Sequence, residues 1–432
     1  RIWRHSTWNV CSAGLGACMD SVRGVTAWAE RGNRGVSVMC AVEAQGGVTM
    51  RQMGILYLYE LKKIMRRKIV WISMAISVAV IVFTVGGPML DFLFGEEGEE
   101  TLYEAFLTDR AYQQALEGRP IDQTLLEEMA EGYSKLPKVE VYSGTEEYQT
   151  YARPYSAIFH FVRVVADMRV AEALDWEADS YGLTQEEKGV WQGQEERFRW
   201  PVEFRYKEGW WRLHDCLYTI ALLGILMAAV CLSGVFTEEH ARRMDQLILS
   251  SRHGRQTVYL AKFLAGLTFG LAQALVFTAV TFLTAFAIYG AEGFWADFRL
   301  ARAGFFPPMS IGQAVLLCYG CMTAAMLVTA AFVMTLSEVT KSSIGTLSTV
   351  AGMILLSMFV NVPERFRVLS QLWSYLPSEF TAVWNIFNPR TVPLFGTFLL
   401  SWQAAPLLYL LLGIGFALIG KRAFVGYQVS GR

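Results

Sequence analysis

The sequence is short of the features that mark a self-contained enzyme or a secreted domain. No G-x-x-x-x-G-K-[ST] run occurs, so the chain lacks the loop whose backbone amides cradle nucleotide phosphates and is not itself an ATPase. None of its seven cysteines falls within residues 91–215, which excludes an internal disulfide framework there and leaves that stretch to an apolar core. Cys318 and Cys321 form a lone C-x-x-C inside an apolar run with no second pair, and read as small packing residues. Residues 1–49 contain no apolar h-region before a small-residue cleavage site, so they do not read as a signal peptide.

What the chain has in quantity is apolar sequence, 53% of residues, and it is clustered. Six windows of roughly 20 residues carry few or no charges, each long enough to cross about 30 Å of hydrocarbon as a helix. They lie at 69–90, 217–236, 263–289, 311–336, 344–362 and 395–419. The expected fold class is an all-α polytopic membrane protein with about six spans. Gln273, Gln313 and Gln403 are the notable polar residues of these windows. Ion-coupled carriers usually place carboxylates or histidines in their spans as relays, and their scarcity points to energy delivered from outside the membrane.

Charge segregation sets a topology. Lys62, Lys63, Arg66, Arg67 and Lys68 precede the first window, which places that end in the cytoplasm by the positive-inside rule. Residues 91–215 then fall outside, with 27 acidic against 13 basic side chains. The next loop is basic again, with Arg242, Arg243, Arg252, Arg255 and Lys262, and Lys421 and Arg422 follow the last window. A multi-pass protein of the plasma membrane with both termini cytoplasmic is expected. The acidic run Glu96–Glu97–Gly98–Glu99–Glu100 reads as a solvated face rather than a cation site, and no metal or nucleic acid is called for.

Residues 1–49 lack periodicity, and the Gly46-Gly47-Val48 that precedes Met50 back-translates to a purine-rich ribosome-binding sequence. They are expected to be translated leader of a bacterial message or a disordered extension. Residues 50–90 comprise an amphipathic interfacial helix and the first span. Within 91–215 the expected helices are 103–117, 122–133 capped by Asp122, 154–174, and 184–197 opened by a Thr184/Glu187 capping box; 139–142 and 202–206 are candidate strands. Trp200, Trp210 and Trp211 are expected to form an aromatic belt at the membrane surface. Gly266 and Gly270 form a G-x-x-x-G that permits close helix contact. Residues 363–394, interrupted by prolines, are expected to dip into the outer interface as a re-entrant segment.

The loop at 237–262 holds the candidate functional residues Glu238, Glu239, Arg242, Arg243, Asp245, Arg252 and Arg255. Thr237 is expected to cap a helix whose first turn carries Glu238 and Glu239, paired with Arg242 and Arg243. Arg252 and Arg255 are expected to face the cytoplasm. Reversing Glu239 or Arg255 should then leave membrane insertion intact. The run Glu238 to Arg243 also resembles the E-E-x-x-x-R signature of CAAX-type intramembrane proteases, but its histidine pattern shares the same few residues instead of a second helix. A receptor-like sensor with an extracytoplasmic ligand-binding domain fits the topology as well.

Val235-Phe236-Thr237-Glu238-Glu239-His240, then Met244-Asp245-Gln246-Leu247-Ile248-Leu249-Ser250-Ser251, Gly254-Arg255 and Ala261-Lys262 resemble permeases of type-2 ABC exporters. Tyr59-Glu60-Leu61-Lys62-Lys63 and Tyr375-Leu376-Pro377 are similar to the family's opening and re-entrant segments. The resemblance implies a homo- or heterodimeric permease that moves its cargo outward, docked through 237–262 on a separate cytoplasmic ATP-binding subunit. ATP and Mg would be bound there and not by this chain.

Overall fold

A computed structural model describes residues 50–93, 101–136, 145–158, 179–195, 197, 201–241, 254–300, 308–394 and 396–426. The chain divides into two compact units, 1–54 and 55–432. Of the first unit, only the opening turn of helix α1 (Met50–Met65) is described.

Five helices among the described residues are long and apolar enough to cross a bilayer: Lys68–Leu90, Glu208–Glu239, Arg255–Tyr289, Ile311–Thr340 and Ser401–Gly426. The fold is therefore the all-α polytopic membrane architecture expected from the apolar windows. The sixth window forms a shorter apolar helix, Ser343–Phe359. Its 17 residues rise about 25 Å, the lower limit for a span. Val360 leaves the helix in extended conformation three residues before Pro363, where the expected span continued to 362.

The spans are labelled α2 (Lys68–Gly86), α7 (Glu208–Leu232), α9 (Gly254–Tyr289), α10 (Ile311–Thr340), the short α11 (Ser343–Phe359) and α15 (Ser401–Gly426). Their most apolar stretches are 67% buried in α7 and 61% in α10, against 22% in α2, 28% in α9 and 17% in α15. The first two thus form the core, and the others turn an apolar face outward, as lipid-facing helices must. Helix α10 packs on α7, α9 and α15, and α2 on α7 and α9. The last span starts six residues later than expected. Residues before it form a hairpin, β1 (Val392–Leu394) with antiparallel β2 (Thr397–Leu399), whose turn uses Gly396 at φ +80°.

The insertion between α2 and α7 is helical where it is described. Helix α3 (Leu102–Ala115) starts at a Thr101/Glu104 capping box, α4 (Gln123–Ser134) at Asp122, α5 (Glu146–Tyr151) at Thr145, and α6 (Gln185–Glu195) at the expected Thr184/Glu187 box. Arg153–Tyr155 is a 3₁₀ turn; the rest of the helix expected at 154–174 lies largely outside the described residues, as do the strand at 139–142 and Trp200. The stretch at 202–206 does pair in extended form: Phe204 N–H donates to Arg119 O and Ile121 N–H to Val202 O, both at 2.8 Å. Leu116, Ile121, Leu125, Met129, Ile158, Val202, Phe204 and Leu300 make a small apolar core without cysteine.

Trp210 corrects the aromatic-belt expectation. Helix α7 begins at Glu208, and Trp210 is only 7% exposed, wedged among Phe282, Phe286 and Phe294 with its indole donating to Ala291 O at 3.0 Å. A single indole packed on three rings and bonded to a carbonyl gains more inside than at an interface.

Gly266 and Gly270 provide the expected close contact, facing Met334 and Ala330 of α10; Gly224 of α7 faces Met326 on the same helix. A Cβ at Gly266 would lie 2.1 Å from the Met334 sulfur. Gly266→Leu should therefore separate α9 from α10 and cost about 1–3 kcal/mol or more. Lowered thermal stability of the solubilised protein checks this, and an unchanged melting point would contradict the packing.

Candidate functional site

Where the basic cluster lies, eight of the described helices meet. Helix α1 is amphipathic and ends in Lys62 and Lys63. Arg67 takes an extended conformation that breaks it from α2 and makes an elbow. Helix α8 (Gly234–Ala241) continues α7 with only Ser233, itself helical, between them. Thr237 therefore sits inside a helix rather than capping one. Its hydroxyl donates to Ser233 O at 3.1 Å and meets the hydroxyl of Ser343 from α11.

The two acids of α8 turn inward. Glu239 is 7% exposed and holds Lys63 of α1 at 2.7 Å and the fully buried Lys262 of α9. Glu60, one turn before Lys63, stands 3.9 Å from the same ammonium. Glu238 meets Arg67 at 3.1 Å, and Arg67 also donates to the carbonyls of Gly234 at 3.0 Å and Cys231 at 3.3 Å. These partners come from α1, the elbow and α9, and the expected pairing with Arg242 and Arg243 falls outside the described residues. Arg242, Arg243, Asp245 and Arg252 lie outside the described residues. Arg255 is half-buried instead of free in the cytoplasm, and its guanidinium donates to Val425 O near the end of α15 at 3.2 Å.

An apolar shelf supports the charges. Phe236, Tyr259 and Phe424 stack within 6 Å of one another, and the Lys262 ammonium lies 5.5 Å from the Phe236 ring. Tyr259 donates to Ala417 O, and Ser337 of α10 to Ser233 O. Glu338 pairs with Lys341 at the turn into α11. Two acids thus fasten α8 to the elbow and to α9, while hydroxyls fasten it to α10 and α11. Among the described residues the acids of this joint are all engaged by cations, and such an arrangement makes several helix ends move together. A Glu239 charge reversal would set a third ammonium against Lys63 and Lys262, so the expectation that insertion survives it fails on this geometry.

Lys63, Arg67 and Lys262 were read as positive-inside charges, and Lys63 and Lys262 also as part of the family resemblance, but none as a partner of Glu238 or Glu239. A signal was present: Glu60, Lys63 and Arg67 recur at three and four residues and therefore share one helical face. Cys216, Cys231, Cys318 and Cys321 are buried thiols outside any disulfide, and among the described residues no group of three His, Cys, Asp or Glu could hold a metal.

At the opposite end, α6 docks on the segment before α15, which holds α12 (Arg367–Ser374), α13 (Pro377–Phe380) and α14 (Val383–Ile386). Glu187, 2% exposed, binds Arg367 through both oxygens at 2.7 Å and accepts from the backbone N–H of Thr184 and of Thr391, each at 2.8 Å. Trp191 donates to Pro389 O at 2.8 Å, and Arg390 pairs with Glu364 at 2.7 Å. Burial pushes the Glu187 carboxyl up, but Arg367 and the two backbone donors outweigh it and hold the group below its ordinary value.

Long apolar helices around a buried pair, entered through an amphipathic elbow, define a polytopic helical membrane protein with its charged joint at one end. Residues 55–364 match the family described as ABC-2 family transporter protein, and the chain belongs to that family. It is the permease component of an ABC transporter, a membrane transport part and not the catalytic one, and the receptor and protease readings are not favoured. No curated protein and no solved structure matches the chain.

Proposed function

We propose that this chain carries its cargo out of the cytoplasm on energy from a separate ATP-binding subunit, bound at the basic end, with a second permease subunit of the same or similar sequence beside it. That end faces the cytoplasm of a bacterial cell, and both termini lie there. The segment 237–262 is the coupling element. The observation that supports it is the Glu239 joint: residues 242–253 connect α8 to α9, and both of these helices are held to Glu239, one by carrying it and the other through Lys262. A push on that connection is passed to α1, α2, α10 and α11 without bending a helix. Opposite displacements of the two ends would alternate access, as rocking of packed bundles does in other transporters.

Arg255 separates coupling from folding. Its bond to Val425 O contributes about 0.5–1.5 kcal/mol, and it stands outside the buried cluster of Glu239, Lys63 and Lys262. Arg255→Glu should leave the permease inserted and monodisperse while ATP hydrolysis by the assembled complex falls several-fold. Undiminished hydrolysis and export would remove this loop from the coupling path.

A further inference from the structure

Several buried carboxylates among the described residues are matched by cations. Glu239 has Lys63 and Lys262, Glu338 has Lys341, and Glu187 has Arg367. Glu379 of α13 is half-buried, yet among the described residues no lysine, arginine or histidine pairs with it. Its neighbours are neutral: the Asn385 amide, which reaches one oxygen at 3.4 Å and donates to the Glu379 carbonyl at 2.8 Å, and the hydroxyl of Ser357.

The site lies at the end of the core remote from the basic cluster. Ser357 is in the last turn of α11 and accepts no charge; it donates to Ser378 beside Glu379, whereas Ser343 at the other end of α11 meets Thr237 at the cytoplasmic joint. One aromatic ring lies near the carboxylate, and a second packs against the first. Tyr218 of α7 is within electrostatic range of it, and Trp384 of α14, which is exposed, stands with its ring centroid 6.0 Å from that of Tyr218. A carboxylate withdrawn from water without a counter-ion is costly, and an ionisable side chain at a membrane protein's core marks a substrate path. Aromatic faces beside it favour a positive charge and offer an anion nothing.

We propose that Glu379, Tyr218 and Trp384 form a binding station for a transported organic cation, an ammonium or guanidinium carried on an apolar body, near the exit end of the permease. The carboxylate supplies the counter-charge, and the two rings bind the apolar part and the cation's face. The inference deepens the permease reading and rests on it. Its assay needs neither ATP nor a partner subunit, so its failure is distinct from failure of that reading.

The test uses two probes of one shape and opposite charge. The full chain in nanodiscs is dialysed against tetraphenylphosphonium or tetraphenylborate, and the uptake of empty discs is subtracted. The phosphonium should bind and the borate should not. Glu379→Gln should weaken phosphonium binding by at least about tenfold, as removal of one partner of a desolvated charge pair does. If that variant fails to fold, Trp384→Leu, altering an exposed ring, should still weaken it several-fold. Equal binding of the two probes by the unaltered chain, or unchanged phosphonium affinity in the folded variant, overturns the assignment.

Discussion

Glu239→Ala should lower stability by about 3–5 kcal/mol, the penalty for leaving a buried ion without its partner. The ion is Lys262, fully buried on α9, and its remaining neighbours are the Phe236 ring and the more distant Glu60. Lys63 loses its 2.7 Å contact at the same time, so the elbow detaches from α8. Removing Lys262 as well reverses the larger part of the penalty, since Met fills the lysine's volume without a charge. The melting temperature of the solubilised protein should therefore fall steeply in Glu239→Ala and recover in part in the Glu239→Ala, Lys262→Met double variant. A double variant no more stable than the single one would show that the ion pair is not what holds the joint.

The second large effect is expected at Glu187. Its carboxylate joins two stretches of chain about 180 residues apart, Arg367 on one side and its own helix start on the other. Glu187→Ala strips Arg367, the Thr184 amide and the Thr391 amide of one acceptor at once. About 3–5 kcal/mol of local stability should be lost, and amide exchange should accelerate in α6 and around Thr391 while α7 and α10 stay protected. The same contact sets a pH dependence. The folded group titrates below the ordinary 4.5, so its stabilisation is complete above that value and is lost as pH falls through the depressed one. Faster exchange in α6 should thus appear only in acid more extreme than pH 4.5. Onset near neutrality would contradict the assignment.

Much of the fold was legible because bilayers impose a length and a polarity on every span. Four of the six windows match a span-length helix closely at one end or both, and the Thr184/Glu187 and Asp122 starts were readable because capping is local. Less legible was anything decided between helices. Trp210 and a lipid-facing tryptophan look alike in sequence; only the Phe282 and Phe286 face of α9, some 70 residues away, tells them apart. For the same reason the contacts of Glu238 with Arg67 and of Glu239 with Lys63, some 170 residues earlier, were not legible. The late start of α15 turned on a short hairpin, whose Pro393 and Gly396 interrupt an apolar run that hydropathy alone reads as continuous.

On the proposed function this chain is the membrane half of a machine whose ATPase is a different polypeptide. Mild detergent extraction of the affinity-tagged chain from its own cells, followed by mass spectrometry of what comes with it, tests that most directly. A polypeptide bearing the G-x-x-x-x-G-K-[ST] loop should co-purify in near-equal amount, and the complex should hydrolyse ATP. Recovery of the intact chain in a transport-competent form with no such subunit attached would contradict it.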